Sequence, residues 1–112
     1  MIYKILSTDE WDRGRAAGHF TGTAMDLQDG YVHLSGAEQV VETARRVFAG
    51  VTGLTLLTVD PDRLGDALRW ESSRGGALFP HLYGVLPVEA VVAARALPPD
   101  TPAADAVAEL LA

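Results

Sequence analysis

The segment Leu54–Val59 constrains the fold of this chain more than any other, because its residues are almost all apolar or β-branched. Short runs of this kind are typical of strands that lie inside a sheet and are covered on both faces. We therefore predict a central strand here. The chain has 112 residues, 48% of them hydrophobic, which is enough for one core, and we predict a single domain over residues 1–112.

The remaining elements are predicted from weaker patterns. Alternating or β-branched runs predict strands at residues 2–6, 31–34, 78–85 and 88–97, with Pro80 marking a sheet edge or a strand start. Periodicity and cap residues predict helices at Thr8–Ala17, at residues 37–49, from Pro61 and after Thr101-Pro102. Residues 19–28 show little periodicity and are predicted as loop. Because strands and helices do not alternate regularly, we predict an α+β fold with about five strands.

Two capping-box patterns mark helix starts, Ser7 with Glu10 and Ser35 with Glu38. The helix that the second pattern would open, at residues 37–49, carries an apolar stripe at helical spacing. We predict that this stripe packs on the central strand. The predicted main core consists of Val40, Val41, Ala44, Val47, Phe48, Leu54, Leu56 and Val59.

Charge and composition exclude several classes of function. Lys and Arg number 9 against 15 Asp and Glu, a net charge of -6, which argues against nucleic-acid binding through phosphate contacts. Cys is absent, so disulfides, thiolate metal sites and a Cys nucleophile are excluded. The His spacing is unlike that of metal sites, and we expect no tightly bound metal. The sequence shows neither a signal peptide nor an apolar membrane span, so we expect a cytoplasmic protein.

Two predicted strands carry polar residues of the kinds that bind and transform ligands. Tyr31, His33 and Ser35 alternate onto one side of the first, and His81 and Tyr83 share one side of the second. Such a row of residues can be a strand face open to water, can contain a histidine with a purely structural role, or can line a ligand site. The capping-box spacing also accounts for Ser35 without a ligand.

A third candidate is Glu71, which follows Trp70. A carboxylate beside an indole in a partly dry site has its charged form disfavoured, which raises its pKa as general acid catalysis requires. An exposed salt bridge with Arg69 or Arg74 is the structural alternative.

Two acidic residues precede His33 in the sequence. We interpret Asp26 and Asp29 as turn residues or, if they lie near His33, as anchors for a hydroxylated ligand.

We predict that His33, Glu71, His81 and Tyr83 converge on one cleft, although they come from three separate segments. The polar faces need a ligand or water against them, Trp70 would form an apolar wall, and the loop at residues 72–76 would allow entry. The two imidazole rings should then lie within about 10 Å of each other and be open to solvent.

Several strings of the sequence resemble one bacterial and plant family. They are residues 2–5 and 18–22, the D-G-Y-V-H-L-S string at 29–35, L-R-W-E at 68–71 and F-P-H-L-Y-G at 79–84. The family is known as domain of unknown function 952, and the resemblance covers about residues 2–97. It carries no established reaction.

The resemblance implies more about fold than about chemistry, because the family is grouped by fold with the ADP-ribosyltransferases. It implies a split α+β core of five or six strands with two to four helices, and a cleft for an NAD-like nucleotide. The tRNA 2′-phosphotransferases of that group have a string similar to residues 31–35, which implies a ligand role for His33. By order, Tyr3-Lys4-Ile5 stands where those enzymes have a first-strand His or Arg, and Glu71 and Glu89 are the candidates for their late catalytic Glu.

Three functions remain open. The first is a small enzyme acting on a nucleotide or NAD-like ligand, with His33, Glu71 and His81 as catalytic candidates. The second is a binding protein for a small metabolite in the same cleft, and the third is a protein-interaction or regulatory domain. The candidate ligand contacts are Tyr31, Ser35, Trp70, Tyr83 and Lys4.

Overall fold

The computed structural model describes the backbone of residues 1–112 and every side chain except that of Arg74. It is an α+β structure with four α-helices and several antiparallel sheets. The strands are β1 (Ile2–Ser7), β2 (His19–Phe20), β3 (Val32–His33), β4 (Ser35–Gly36), β5 (Leu54–Val59), β6 (Leu68–Ser72), β7 (Leu78–Leu82), β8 (Leu86–Pro87) and β9 (Val91–Ala96). The helices are α1 (Thr8–Ala17), α2 (Ala24–Asp29), α3 (Val40–Val47) and α4 (Ala103–Leu111).

The largest sheet has the strand order β4-β1-β5-β9, and its paired strands are antiparallel. β5 lies between β1 and β9, and its leucines Leu54, Leu56 and Leu57 are buried. The prediction of a central strand at this segment is confirmed. Since both of its edges are paired and both faces are covered, β5 anchors the packing of the helices.

A three-stranded sheet with the order β3-β7-β6 carries the polar residues of interest, and a two-stranded sheet joins β2 to β8. β7 is the middle strand of its sheet and Pro80 is its third residue, so the prediction that Pro80 marks a sheet edge or a strand start is wrong. The carbonyl of Pro80 accepts a hydrogen bond from the Leu34 N–H. The nitrogen and the carbonyl of a residue in an antiparallel strand point to the same side, so the Pro80 nitrogen, which carries no hydrogen, also faces β3. Because β3 ends at His33, one residue before Leu34, the pairing of β3 with β7 needs no N–H donor at Pro80.

Two groups of buried residues form the core. One lies around Leu57, Val59 and Leu82, and the other joins α3 and α4 to Ile5, Leu54 and Leu56. Most of the predicted core residues belong to these groups, but Val47 does not, since 46% of its side chain is exposed. Helix α3 spans Val40–Val47 and is shorter at both ends than the predicted helix at residues 37–49.

The segment at 19–28 was predicted as loop but contains β2 and the start of α2. Helix α2 begins with a capping box in which the Thr23 side chain accepts from the Asp26 N–H and the Asp26 carboxylate accepts from the Thr23 N–H. A six-residue helix is too short to show periodicity, which is why the pattern of apolar residues did not reveal it.

The predicted capping box of Ser7 and Glu10 is present at the start of α1, and Gly18 ends that helix in the left-handed conformation with φ 86°. The second predicted box, Ser35 with Glu38, is wrong. Ser35 lies in β4 and its hydroxyl contacts the Thr43 hydroxyl at 3.0 Å, while α3 starts after Gln39 without a side-chain cap. The C-terminal helix likewise starts after Pro102, with no cap from Thr101.

Within the described part of the chain, no helix is both long and apolar enough to cross a lipid bilayer.

Substitution of Leu57 by Ala should lower the free energy of unfolding by about 2–5 kcal/mol, because the side chain is fully buried in the central strand. Val47→Ala is the control and should change it by less than about 0.5 kcal/mol, since that residue is half exposed. Urea denaturation of both variants measures the difference. Equal losses for the two would contradict the assignment of β5 as the centre of the core.

Candidate functional site

The register of the three-stranded sheet places three polar side chains in one row. His33 of β3 lies opposite His81 of β7, and His81 lies opposite Arg69 of β6. The next residues along these strands, Val32 and Leu82, face the other way and are buried in the core. One face of this sheet therefore packs on the protein and the other presents the histidines.

Four rings gather on this face, and we call Tyr31, His33, His81 and Tyr83 the aromatic cluster. The His33 and His81 ring centroids lie 5.8 Å apart, within the distance predicted. Tyr31 stacks on His81 with centroids 4.0 Å apart, and it lies 4.6 Å from His33 and 5.3 Å from Tyr83. The expectation that both imidazoles are open to solvent is wrong for His81, which is buried beneath Tyr31.

Glu71 joins the cluster from β6. Its Oε1 atom lies 2.8 Å from His81 Nδ1 and accepts a 2.7 Å hydrogen bond from the Tyr83 hydroxyl. The hydrogen bond from Tyr83 and the one from His81 lower the pKa of Glu71 below its usual value. The same bond raises the pKa of Tyr83, since it favours the protonated phenol. Glu71 is therefore an ionised acceptor that fixes His81 and Tyr83.

The predicted influence of Trp70 on Glu71 is wrong. Neighbouring residues of a strand point to opposite faces, so Trp70 lies on the side away from the aromatic cluster. It is half exposed and lies over Gly36. The pKa of Glu71 is lowered rather than raised, because its hydrogen bonds with Tyr83 and His81 outweigh the opposing effect of burial. The alternative salt-bridge partner Arg74 lies outside the described side chains, and Arg69 lies over the Tyr83 ring at 5.2 Å.

Two carboxylates flank the His33 ring. Asp26 Oδ1 lies 2.6 Å from Nδ1, and Asp29 Oδ2 lies 3.0 Å from Nε2. An ionised carboxylate only accepts hydrogen bonds, so the ring donates to each oxygen it binds. A His33 ring that binds both at once carries a proton on each nitrogen.

Asp26 is the most connected of these groups and is buried. Its carboxylate accepts from the Thr23 N–H at 2.9 Å and from the His33 N–H at 3.0 Å, and it pairs with the Lys4 ammonium at 3.1 Å. Burial opposes the ionisation of Asp26, but the His33 hydrogen bond and the Lys4 charge outweigh it and hold the pKa well below its usual range. Gly22 approaches so closely that a Cβ there would lie 2.9 Å from the Asp26 Cβ.

Lys4 contributes to the site indirectly. Burial lowers the pKa of its ammonium, which Asp26 counteracts, and its Nζ donates to the His33 carbonyl at 2.8 Å. It therefore holds Asp26 and β3 in place. Ser35, another predicted ligand contact, is buried against Thr43 and away from the cluster. Glu89, the other candidate for a late catalytic carboxylate, is exposed in the turn before β9.

The two histidines offer different chemistry. His81 donates from Nδ1 to Glu71, which leaves Nε2 as the atom with a lone pair in the neutral ring. Nε2 has no partner among the described side chains. His33 instead presents a donor at Nε2, shared with the exposed Asp29. The described residues contain no group of three or more ligands arranged to hold a metal ion.

Sequence reasoning undervalued Asp26, which it assigned to a turn or, with Asp29, to a ligand anchor near His33. The spacing of Thr23 and Asp26 matches the capping-box pattern and could have revealed α2. Nothing local to Asp26 signals its contacts with Lys4 and His33, which depend on how the chain folds back between β1 and β3.

Comparison with known proteins shows which family the chain is similar to. A family model described as "Protein of unknown function (DUF952)" matches residues 5–94. The crystal structure of protein CC0527 from Caulobacter crescentus is 49% identical, with a TM-score of 0.87 over 96% of this chain and 97% of that one. The solution NMR structure of CC0527 is 51% identical, with a TM-score of 0.79 over 91% and 88% of the two chains. No curated protein matches the chain.

Asp26→Asn should lower the free energy of unfolding at pH 7 by about 3–5 kcal/mol, because it leaves the buried Lys4 without a counter-charge. Asp29→Asn, at an exposed carboxylate, is the control and should change it by less than about 0.5 kcal/mol. Chemical denaturation measures both. Similar values for the two variants would show that Asp26 does not organise the site.

The difference between the wild type and Asp26→Asn should also depend on pH. The pKa of Asp26 is depressed in the folded protein, so its stabilisation is complete above the unfolded value of about 3.9 and is lost as the pH falls towards the folded value. The difference should stay constant from pH 7 to about pH 5 and then shrink. A difference that persists unchanged at pH 2 would contradict the depressed pKa.

Proposed function

The chain belongs to the DUF952 family of proteins of unknown function, and we propose that it is a small enzyme that acts on one small molecule by acid–base catalysis. The reaction takes place at the aromatic cluster. The observation that carries the proposal is that two histidines, each with a carboxylate at Nδ1, lie 5.8 Å apart on the outer face of one sheet.

A carboxylate at Nδ1 fixes both the orientation of an imidazole and the nitrogen that holds its proton, which is what a catalytic histidine needs. Glu71 does this for His81 and Asp26 for His33. His81 acts as the base through Nε2, and His33 acts as the proton donor. A spacing of 5.8 Å allows both rings to contact one ligand once the stacked Tyr31 ring moves off His81.

The other residues of the cluster bind and orient the ligand. Tyr31 offers a ring face, and Tyr83 offers its ring and its hydroxyl. Arg69 places its guanidinium at the Tyr83 end of the row, where it can contact an anionic or electron-rich group. These groups define a ligand that is partly planar and carries hydrogen-bonding atoms.

A nucleotide or NAD-like molecule is the ligand class that we propose to test first. The grouping of the family with ADP-ribosyltransferase folds implies it, and the flat tyrosine rings beside Arg69 support it. Three carboxylates, Asp26, Asp29 and Glu71, surround the rings, so a ligand with few negative charges fits better than a triphosphate.

A protein-interaction or regulatory function is the alternative, and one observation favours it. Trp70 and Leu78 lie on the opposite face of the same sheet and are 49% and 55% exposed, although both are large and apolar. A partner bound there would leave the aromatic cluster with a structural role only.

Glu71→Gln separates these functions, because the amide oxygen still accepts hydrogen bonds while the negative charge is lost. Ligands are first selected by thermal shift from a panel of nucleosides, nucleotides, NAD and nicotinamide. A ligand present at a concentration of 100 times its dissociation constant stabilises the folded protein by about 2.7 kcal/mol. NMR of the selected ligand then measures turnover by the wild type and the variant.

We expect Glu71→Gln to lower the turnover rate by about 10²–10⁴-fold, the range of a general acid–base contribution. Glu89→Gln is the matched control and should leave the rate unchanged, since Glu89 is exposed in the turn before β9 and belongs to none of the cluster's hydrogen bonds. Binding without turnover would make the protein a non-catalytic binder. Equal turnover in all three proteins would contradict the role of Glu71 and His81.

A further inference from the structure

A cavity of about 590 Å³ lies beside the aromatic cluster, between β1, α2 and α3. Its volume falls in the range of about 300–1,000 Å³ that holds small molecules in proteins. His33 and Asp26 line one end of it, whereas His81, Glu71 and Tyr83 do not line it at all. The cavity is therefore distinct from the catalytic face proposed above and meets it only at His33 and Asp26.

Most of the cavity lining is apolar. The floor is formed by buried residues of the central sheet, Ile5, Leu6 and Leu54. The rim is formed by Met25, Val47 and Val51, which are 54%, 46% and 46% exposed. These rim side chains are half exposed to water at the mouth of the cavity. A ligand that enters the cavity would bury them, and burial of apolar surface favours the binding of an apolar molecule.

The polar end of the cavity has little charge to offer a ligand. The Lys4 ammonium pairs with Asp26 and donates to the His33 carbonyl, and the Asp26 carboxylate is occupied by Thr23, Lys4 and His33. Glu10, also in the lining, adds a further carboxylate. The lining therefore offers an anionic ligand no unpaired cation, and the Glu10 carboxylate would repel it, so the electrostatics select against an anion.

We propose that this cavity binds a neutral, predominantly apolar small molecule, with any hydroxyl or carbonyl group directed towards His33. This inference does not depend on the reaction proposed for the aromatic cluster. The size of the cavity argues for a small molecule, since a stable protein partner would need to bury about 800 Å² on this chain.

The test uses 1-octanol as the neutral probe and octanoate as its anionic counterpart. Titration followed by ¹H–¹⁵N and aromatic NMR of the wild-type protein should shift the resonances of Ile5, Phe48 and Val51 and of the His33 ring. Octanoate should bind at least tenfold more weakly than 1-octanol. Shifts centred on His81 and Tyr83, or tighter binding of octanoate, would overturn the proposal.

Two variants locate the binding. Val51→Glu places a charge on the rim and should weaken 1-octanol binding at least tenfold, whereas Val92→Glu, at a position 50% exposed on β9 and outside the cavity, should not change it. Val47→Gln provides a second rim variant should Val51→Glu fold poorly. Unchanged affinity in the rim variants would overturn the proposal. Rim variants that lose 1-octanol binding but keep the turnover of the wild type would show that the cavity and the catalytic face are separate sites.

Discussion

The buried carboxylate of Asp26 is the group on which the rest of the site depends. An ionised carboxylate buried in a protein is costly unless charges and hydrogen bonds compensate it. Lys4 of β1, the Thr23 N–H at the start of α2, and the N–H and ring of His33 provide that compensation. Three segments, β1, the start of α2 and β3, are therefore held at one point, and His33 has its orientation set there.

The second constraint is strand register. His33 lies opposite His81 only because Val32 pairs with Leu82, and both of those residues are buried in the core. A shift of one residue would turn the histidines into the core and the apolar residues outwards. The same apolar packing that stabilises the small sheet thus places the rings 5.8 Å apart. The contacts that stabilise the small sheet therefore also position the histidines of the site.

The sequence predicted those parts of the structure whose cause is local. The apolar run of β5, the caps of α1 and the alternation of His81 with Tyr83 were each recognisable within a few residues. The parts missed depend on distant contacts. Asp26 owes its role to Lys4, and Ser35 pairs with β1 and contacts Thr43, although its local spacing favoured a cap. Trp70 and Glu71 are neighbours in sequence, but adjacent residues of a strand point to opposite faces, so the predicted contact between their side chains does not form.

The central claim is that the carboxylates fix the protons of both histidines, and side-chain ¹⁵N NMR tests it most directly. Long-range correlations distinguish a protonated from an unprotonated imidazole nitrogen in each ring. The structure predicts that Nδ1 is protonated in both rings, facing Asp26 in His33 and Glu71 in His81, with Nε2 of neutral His81 unprotonated. An unprotonated Nδ1 in either ring would contradict this account.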